Sequence, residues 1–282
     1  MNIQYSIVTP LQDKSFSYYQ EKIISLIEEL KLLQTKNKII LSIYDLIDEP
    51  NRISYEIIIQ KKRIKPEIYL EMFQTFLKEK QILDMNLEYR LFRSIRESET
   101  IDEILVWFKN IGNKLADSFV IIGNYKNKKL RTNNVLKMLY LKNPNKEYGC
   151  IIIPYRNSEF DRCKKRIKLG CSFFVSQIIV DDKFTKEHLK LYENINIPIY
   201  FTLTYIPSIN TWNFLKTLGV KSYFKYEEKI VKDKEKTNNH LEKIIRLVTS
   251  IKHYINFEII PHSKKIRISY INLFLKLNNF YK

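Results

Sequence analysis

The amino-acid sequence predicts a single-domain α/β protein of the (β/α)8 barrel class that spans residues 1–282. Short runs rich in β-branched and aromatic residues alternate with longer stretches of helical period, as in a parallel α/β protein. Eight such runs can be counted, and seven are followed directly by a helical stretch. The turn at residues 9–12 reads Thr-Pro-Leu-Gln, whereas an open dinucleotide-binding sheet needs a glycine-rich turn there. The barrel is therefore favoured over a doubly wound sheet.

The predicted strands are apolar runs bounded by proline, glycine or polar turns. They run through Tyr5–Thr9, Ile39–Tyr44, Leu83–Leu91, Ser118–Ile122, Gly149–Pro154, Ser172–Val180, Ile197–Thr204 and Asn256–Ile260. Helices are predicted over Pro66–Glu79, after the candidate N-caps Ser98 and Thr100, and from Phe160 to a stop at Gly170. A charged irregular insertion is predicted at about residues 221–239, in which Lys225–Asn239 is either an exposed loop or a helix extension, followed by a helix from His240 to Ile251.

Composition narrows the class of protein. The formal net charge is +17, but the basic clusters are spread along the chain, which argues against nucleic acid as the partner. No apolar run approaches the roughly 18 residues that cross a bilayer, and no secretory signal precedes the first strand. We therefore expect a cytoplasmic protein. Three scattered cysteines and four scattered histidines predict neither a disulfide framework nor a metal site.

The barrel class by itself indicates where ligands bind, because the loops after the strands form the active face. The polar side chains that the predicted strand ends bring to this face are Asp45, Asp48, Glu49, Arg52, Glu88, Arg90, Asn124, Tyr155, Arg156, Gln177, Asp181, Thr204, Tyr205, Glu258 and His262. Gln177 is the most informative of them, since apolar residues flank it and a buried amide needs hydrogen-bond partners. A structural hydrogen bond inside the barrel is the alternative to a ligand contact.

One segment, residues 148–220, indicates a particular protein family in addition to the fold class. Its strand Tyr-Gly-Cys-Ile-Ile-Ile-Pro is followed by a charged helix, then by Gly-Cys-Ser-Phe-Phe-Val-Ser-Gln ending at Gln177. Asp181, an Asn-Ile-Pro-Ile run and a loop containing Pro207 come next. This order resembles the methylenetetrahydrofolate reductase family. Its members are FAD-bound (β/α)8 barrels that reduce a methylene-pterin with electrons from a nicotinamide.

The resemblance implies specific roles. Gln177 matches the family's folate-contacting glutamine, and an amide offers both donors and acceptors to a pterin ring. The family's acidic group on the first strand falls on Ser6, which cannot act as a general acid. The aspartate beside the flavin falls on Asn124, and the glutamate of a Tyr-Pro-Glu turn falls on Tyr155.

The predicted site follows from both lines of argument. Gln177 and Tyr205 are the expected substrate contacts, and FAD is expected at Asn124, Tyr155 and Arg156. The remaining candidate acid is Glu88, whose apolar context would raise its pKa on burial. A salt bridge to Arg90 or Arg93, or simple exposure, is the alternative for Glu88, as surface charge is for Arg156.

Three functions stay open at this point. The first is a flavin-dependent oxidoreductase acting on a folate or pterin-type substrate, with a nicotinamide as electron donor. The second is a catalytically altered barrel that binds a ligand or serves as a partner subunit, and assembly into a homo-oligomer also stays open. The third is a nucleic-acid-associated protein, which a salt-sensitive gel shift would reveal.

Overall fold

The structure is a computed structural model, and it describes most of the chain. The described residues are 3–33, 38–45, 63–82, 84–123, 127, 129–154, 156–180, 189, 192–204, 206, 208–217, 219–220, 234–250, 254–258, 268, 271–272 and 275–276.

Eight parallel strands close into one barrel in sequence order, and the last strand pairs with the first. The strands are β1 (Ile3–Val8), β2 (Ile39–Tyr44), β3 (Leu87–Ser94), β4 (Ser118–Ile122), β5 (Glu147–Ile152), β6 (Phe173–Ser176), β7 (Ile199–Leu203) and β8 (Tyr254–Glu258). The predicted fold class is confirmed.

The helices of the described residues are α1 (Phe16–Leu33), α2 (Pro66–Glu79), α3 (Ile101–Trp107), α4 (Thr132–Lys142), α5 (Glu159–Ile167), α6 (Ile209–Thr217) and α7 (Lys234–Thr249). Thr100 caps α3 as predicted, because its side chain accepts a hydrogen bond from the Glu103 N–H and the Glu103 carboxylate accepts one from the Thr100 N–H. Helix α4 was not predicted. Its apolar stripe is short, with Val135, Leu136 and Leu139 buried among lysines and asparagines.

Several strand boundaries differ from the sequence prediction. Strand β3 is shifted toward the C-terminus, to Leu87–Ser94 instead of Leu83–Leu91, and β6 ends at Ser176 instead of Val180. Residues 234–239 of the predicted insertion form the first turns of α7, in agreement with the helix-extension alternative; the rest of that insertion lies outside the described residues. Charge alone cannot tell an exposed loop from an exposed helix face, so the sequence left both open.

Two apolar layers form on opposite sides of the sheet, because side chains alternate along each strand. The larger layer packs between the strands and the surrounding helices. The smaller one fills the barrel interior and consists of Ile40, Phe92, Val120, Phe173, Val175 and Tyr200. The interior is therefore a packed core and not a pore.

A fully buried arginine lies in the lower half of this interior. The guanidinium carbon of Arg90 lies 3.7 Å from the centroid of the Phe173 ring and 4.5 Å from that of Tyr200. Its N–H groups donate to Ser118 Oγ at 2.8 Å and to the Gln4 side-chain carbonyl. Burial lowers the pKa of the Arg90 guanidinium, yet this group keeps its proton in proteins. A buried cation is tolerable only with such partners.

Gly149 makes room for this arrangement. It pairs in register with Phe173 on the neighbouring strand, and a Cβ at Gly149 would lie 2.2 Å from a carbon of the Phe173 ring. Any side chain at this position would therefore displace the ring that covers Arg90.

Within the described residues, no helix combines the length and the apolar character needed to cross a membrane.

We predict that Gly149→Ala destabilises the protein by about 1–3 kcal/mol, since overpacking a filled core forces side chains off their preferred rotamers. Urea unfolding measures the change. Glu147→Ala, at an exposed position two residues earlier on β5, is the matched control and should change stability by less than about 0.5 kcal/mol. Equal stability of the Gly149 variant and the control would contradict the packing argument.

Candidate functional site

The opening at the carboxyl-terminal ends of the strands, which we call the mouth, lies above the filled interior. Among the residues that the structure describes, five half-buried side chains surround it, each at an inward-facing position of its strand or directly after it. They are Val8, Tyr44, Ile122, Ile151 and Gln177. Four of the five are apolar or aromatic, so Gln177 supplies an amide in a largely apolar setting. Ligand sites commonly have this composition, with few polar groups among apolar ones.

The backbone holds Gln177 in place from neighbouring strands. Its N–H donates to Ile152 O on β5 at 2.7 Å. The preceding residue, Ser176, is held by Thr202 on β7, whose N–H donates to Ser176 Oγ at 2.8 Å and whose hydroxyl donates to Ser176 O at 2.6 Å. Ile179 N then donates to Thr202 O at 2.9 Å. The position of Gln177 is thus determined by β5 and β7 as well as by its own strand.

The Thr202 hydroxyl is the last link of a hydrogen-bond chain inside the barrel, which we call the polar belt. Gln4, which accepts from Arg90, donates to Ser6 Oγ at 3.3 Å. Ser6 donates to the Asn256 carbonyl at 3.0 Å, and the Asn256 amide donates to Thr202 Oγ1 at 2.9 Å. The belt therefore runs in one donor direction from the buried cation to Ser176 O, next to Gln177.

Ser6 belongs to this belt and is fully buried. The position that the resemblance assigns to an acid is thus occupied by a hydroxyl that already donates to Asn256 and accepts from Gln4.

Glu88 lies at the other end of the barrel. It is the second residue of β3, and the mouth is at the end of that strand. The sequence prediction placed it near the end of the strand because it put β3 four residues too early. Its carboxylate forms an ion pair with Lys38, and both side chains are partly exposed. The hydrogen bond to Glu88 raises the pKa of Lys38. This position argues against the predicted catalytic role of Glu88. The carboxylate is in a salt bridge, but its partner is Lys38 and not Arg90 or Arg93.

Asp45 is the described carboxylate at the end of β2, and it is buried. It accepts hydrogen bonds from Ser94 N at 2.9 Å and from the Arg96 guanidinium at 2.8 Å. The Ser94 hydroxyl also donates to Asp45 O at 3.0 Å. These contacts join the ends of β2 and β3, so Asp45 has a structural role in the rim of the mouth.

Arg156 follows β5 and is 40% exposed at its side chain. Its guanidinium lies 3.7 Å from the buried Glu159 carboxylate, which Arg162 and Arg166 approach to 3.9 and 3.6 Å. One oxygen of Glu159 accepts from Ile153 N at 3.2 Å, and the other has no hydrogen-bond partner in the structure. Three cations around one carboxylate leave this part of the rim positively charged.

Several predicted site residues lie outside the described residues. They are Asn124, Tyr155, Tyr205, Asp48, Glu49, Arg52, Asp181 and His262. Their proposed roles stay predictions. Arg90, predicted on the active face, lies in the barrel interior instead, and Thr204 is buried at the end of β7.

Comparison with known proteins agrees with the fold. No protein-family model matches the sequence, and no curated protein does either. Among solved structures, a Clostridium thermocellum protein that binds two copies of 5-methyl-5,6,7,8-tetrahydrofolic acid superposes with a TM-score of 0.73. The two are 22% identical over 96% of this chain and 92% of the other. The aldolase QR15 superposes at 0.53 with 10% identity, over 99% of this chain and 96% of its own. At these identities, the likeness shows that all three share a barrel fold.

We predict that Thr202→Val destabilises the protein by about 1–3 kcal/mol, because the Asn256 amide and the Ser176 carbonyl would each lose a buried hydrogen bond. Urea unfolding measures it. Thr202→Ser keeps the hydroxyl and is the matched control, with an expected loss of less than about 1 kcal/mol. If Thr202→Val loses no more stability than Thr202→Ser, the hydroxyl adds no net stabilisation and the argument from the belt is wrong.

Proposed function

We propose that this protein binds a reduced folate or a related pterin in the mouth of the barrel, with Gln177 as its principal hydrogen-bonding contact. The observation that carries the proposal is the inward-facing amide of Gln177, held by β5 and β7 in a mouth whose other half-buried side chains are apolar. Two further facts support it. The segment around Gln177 resembles the methylenetetrahydrofolate reductase family, and the similarly folded Clostridium thermocellum protein binds 5-methyltetrahydrofolic acid.

The chemistry of the contact suits a pterin. One edge of the ring presents N–H donors beside an oxygen acceptor, and a glutamine amide has both kinds of group in one plane. The apolar side chains Val8, Ile122 and Ile151 would cover the faces and edges of the ring that make no hydrogen bonds. A few polar contacts combined with many apolar contacts are typical of small-molecule sites.

We further propose, as the more specific form of this function, that the protein is a flavin-dependent oxidoreductase. The described part of the expected cofactor site fits an anionic group, since Arg156 is partly exposed beside a positively charged cluster. Arg156 would hold a phosphate of FAD, together with Asn124 and Tyr155 in the arrangement that the resemblance implies. Bound FAD would supply the hydride chemistry, with a nicotinamide as the source of electrons.

A specific observation favours a second candidate, a barrel that binds its ligand without turnover or acts as a partner subunit. Reduction of a methylene-pterin requires an acid near the ring. Among the described residues, Ser6 replaces the family's acid, Glu88 is at the opposite end of the barrel, and Asp45 is tied to Arg96 and Ser94. Glu258, the last residue of β8, is the remaining candidate acid among the described predicted site residues. Binding therefore rests on firmer structural grounds than catalysis.

We predict that Gln177→Ala weakens binding of 5-methyltetrahydrofolate by about 10- to 100-fold, as expected for losing a hydrogen-bond pair worth roughly 1–3 kcal/mol. Isothermal titration calorimetry measures the affinity. Glu88→Gln, at the other end of the barrel, is the control and should bind like the wild type. If Gln177 has only a structural role, the alanine variant will lose stability in urea while the affinity of its folded form stays unchanged.

The oxidoreductase proposal has a separate test. We predict that the purified protein, or the protein reconstituted with FAD, shows the visible absorbance band of a bound flavin. Arg156→Ala should lower the affinity for FAD about tenfold, since a charge-assisted hydrogen bond is worth roughly 1.5–3 kcal/mol at partly buried sites. A protein that binds 5-methyltetrahydrofolate but neither FAD nor FMN would exclude the flavin-dependent reaction and leave the binding function in place.

A further inference from the structure

Tyr44 is the aromatic residue among the five half-buried side chains described at the mouth. It is the last residue of β2 and faces inward, because it follows the inward-facing Ile40 at an interval of four residues along the strand. Its ring packs against the interior cluster but remains half-buried. Since the barrel below is filled, the exposed part of the ring is directed toward the mouth.

The orientation of this ring is set by Phe92. Tyr44 and Phe92 occupy corresponding positions on the adjacent strands β2 and β3, one residue beyond the paired residues Ile43 and Leu91. Their ring centroids are 4.0 Å apart with planes inclined by 36°. This separation is close to the spacing of about 4.8 Å between neighbouring strands. The rings therefore lie side by side along the circumference of the barrel, and the plane of each extends roughly from the wall toward the barrel axis.

The strand that carries Gln177 lies opposite. In a closed order of eight strands, β2 and β6 are four strands apart in both directions. The level along the axis follows from the register. From Ser42, the paired positions through β3, β4 and β5 lead to Cys171, and those through β1, β8 and β7 lead to Val180, since Leu203 pairs with Ile179. The offset between the two reflects the shear of the barrel, and the position level with Ser42 is within one residue of Val175.

Two residues further along both strands, Tyr44 is level with Gln177 to within one residue. The mouth thus has an aromatic ring on one wall and an amide on the opposite wall, at nearly the same height. A flat ring lying parallel to Tyr44 extends across the mouth and presents an edge to β6, where the amide can hydrogen-bond to it. Neither residue could serve a flat heterocycle in this way alone.

From this geometry we infer that Tyr44 is the stacking residue of the ligand site, and that the part of the ligand it recognises is the flat pyrimidine ring of the pterin. The inference rests on the proposed function. In this inference, the Tyr44 ring selects ligands with a flat ring, and Gln177 selects those with matching hydrogen-bond donors and acceptors. The benzoylglutamate part of a folate would then extend outward, away from both residues.

The test compares three variants by calorimetry with two probes, 6-methyltetrahydropterin and p-aminobenzoylglutamate. Tyr44→Leu should weaken binding of the pterin probe about 3- to 10-fold, the range expected for a lost aromatic contact. Tyr44→Phe keeps the ring and should bind like the wild type. Tyr140→Leu, at a half-exposed tyrosine on α4 far from the mouth, is the matched control and should also bind normally.

The outcomes separate the two levels of the argument. If the wild type binds neither the pterin nor 5-methyltetrahydrofolate, the proposed function is wrong and the inference falls with it. If the wild type binds and Tyr44→Leu binds equally well, the stacking role is wrong and the proposed function stands. If Tyr44→Phe is as weak as Tyr44→Leu, the hydroxyl and not the ring makes the contact, which also overturns stacking. If Tyr44→Leu weakens binding of p-aminobenzoylglutamate alone, Tyr44 contacts the benzoylglutamate part of the ligand, and the inference is wrong.

A second measurement covers the case in which Tyr44→Leu does not fold. The natural tryptophans Trp107 and Trp212 lie on the outer helices α3 and α6. In Tyr44→Trp, the added emission should be quenched when the pterin probe binds, because the indole would stack on the ligand. Quenching equal to that of the wild type would overturn the inference.

Discussion

The charge of Arg90 is the constraint around which the barrel interior is organised. A guanidinium taken out of water costs several kcal/mol unless its hydrogen atoms and its charge are compensated. Here two aromatic faces and two neutral side chains provide the compensation. The glycine at position 149 follows from the same requirement, because the Phe173 ring needs the space that a Cβ would take.

The polar belt connects the hydrogen bonds of Arg90 at the base of the barrel with the backbone near the mouth. Gln4 can accept from Arg90 only if its amide group donates onward, and the remaining donors then follow in one direction to the Ser176 carbonyl. A chain of buried hydrogen bonds strengthens each of its members, and a broken link leaves buried groups unsatisfied. The backbone beside Gln177 is therefore part of a rigid interior. Pre-organisation of this kind is what a small-molecule site requires.

The described side chains of the mouth are suited to binding a ligand more than to transferring a proton to it. The polar group best placed in the described part is a neutral amide. Of the candidate carboxylates there, Glu88 is at the far end of the barrel, Asp45 and Glu159 contact arginines, and Glu258 ends β8. A neutral site can bind a pterin tightly without protonating it. The positive rim around Arg156 adds a place for an anionic group, and this is the feature on which the oxidoreductase form of the function depends.

The sequence by itself determined the barrel class and its strand order, because alternating periods of two and 3.6 residues are local properties of the chain. The spans of β2, β4 and α2 agree with the prediction, and Gln177 was identified as a site residue from its apolar neighbours. Helix α4 and the register of β3 were missed, since a short apolar stripe and a run of mixed residues have no distinct period.

Only the tertiary structure decided which polar residues share a site. Because β3 begins at Leu87, Glu88 lies near its start and therefore at the end of the barrel opposite to the predicted one. Arg90 proved to be part of the interior for the same reason. Tyr44, by contrast, ends a correctly predicted strand but was not among the predicted site residues. Its relation to Gln177 depends on barrel closure and shear, and these are properties of eight strands together that no single segment encodes.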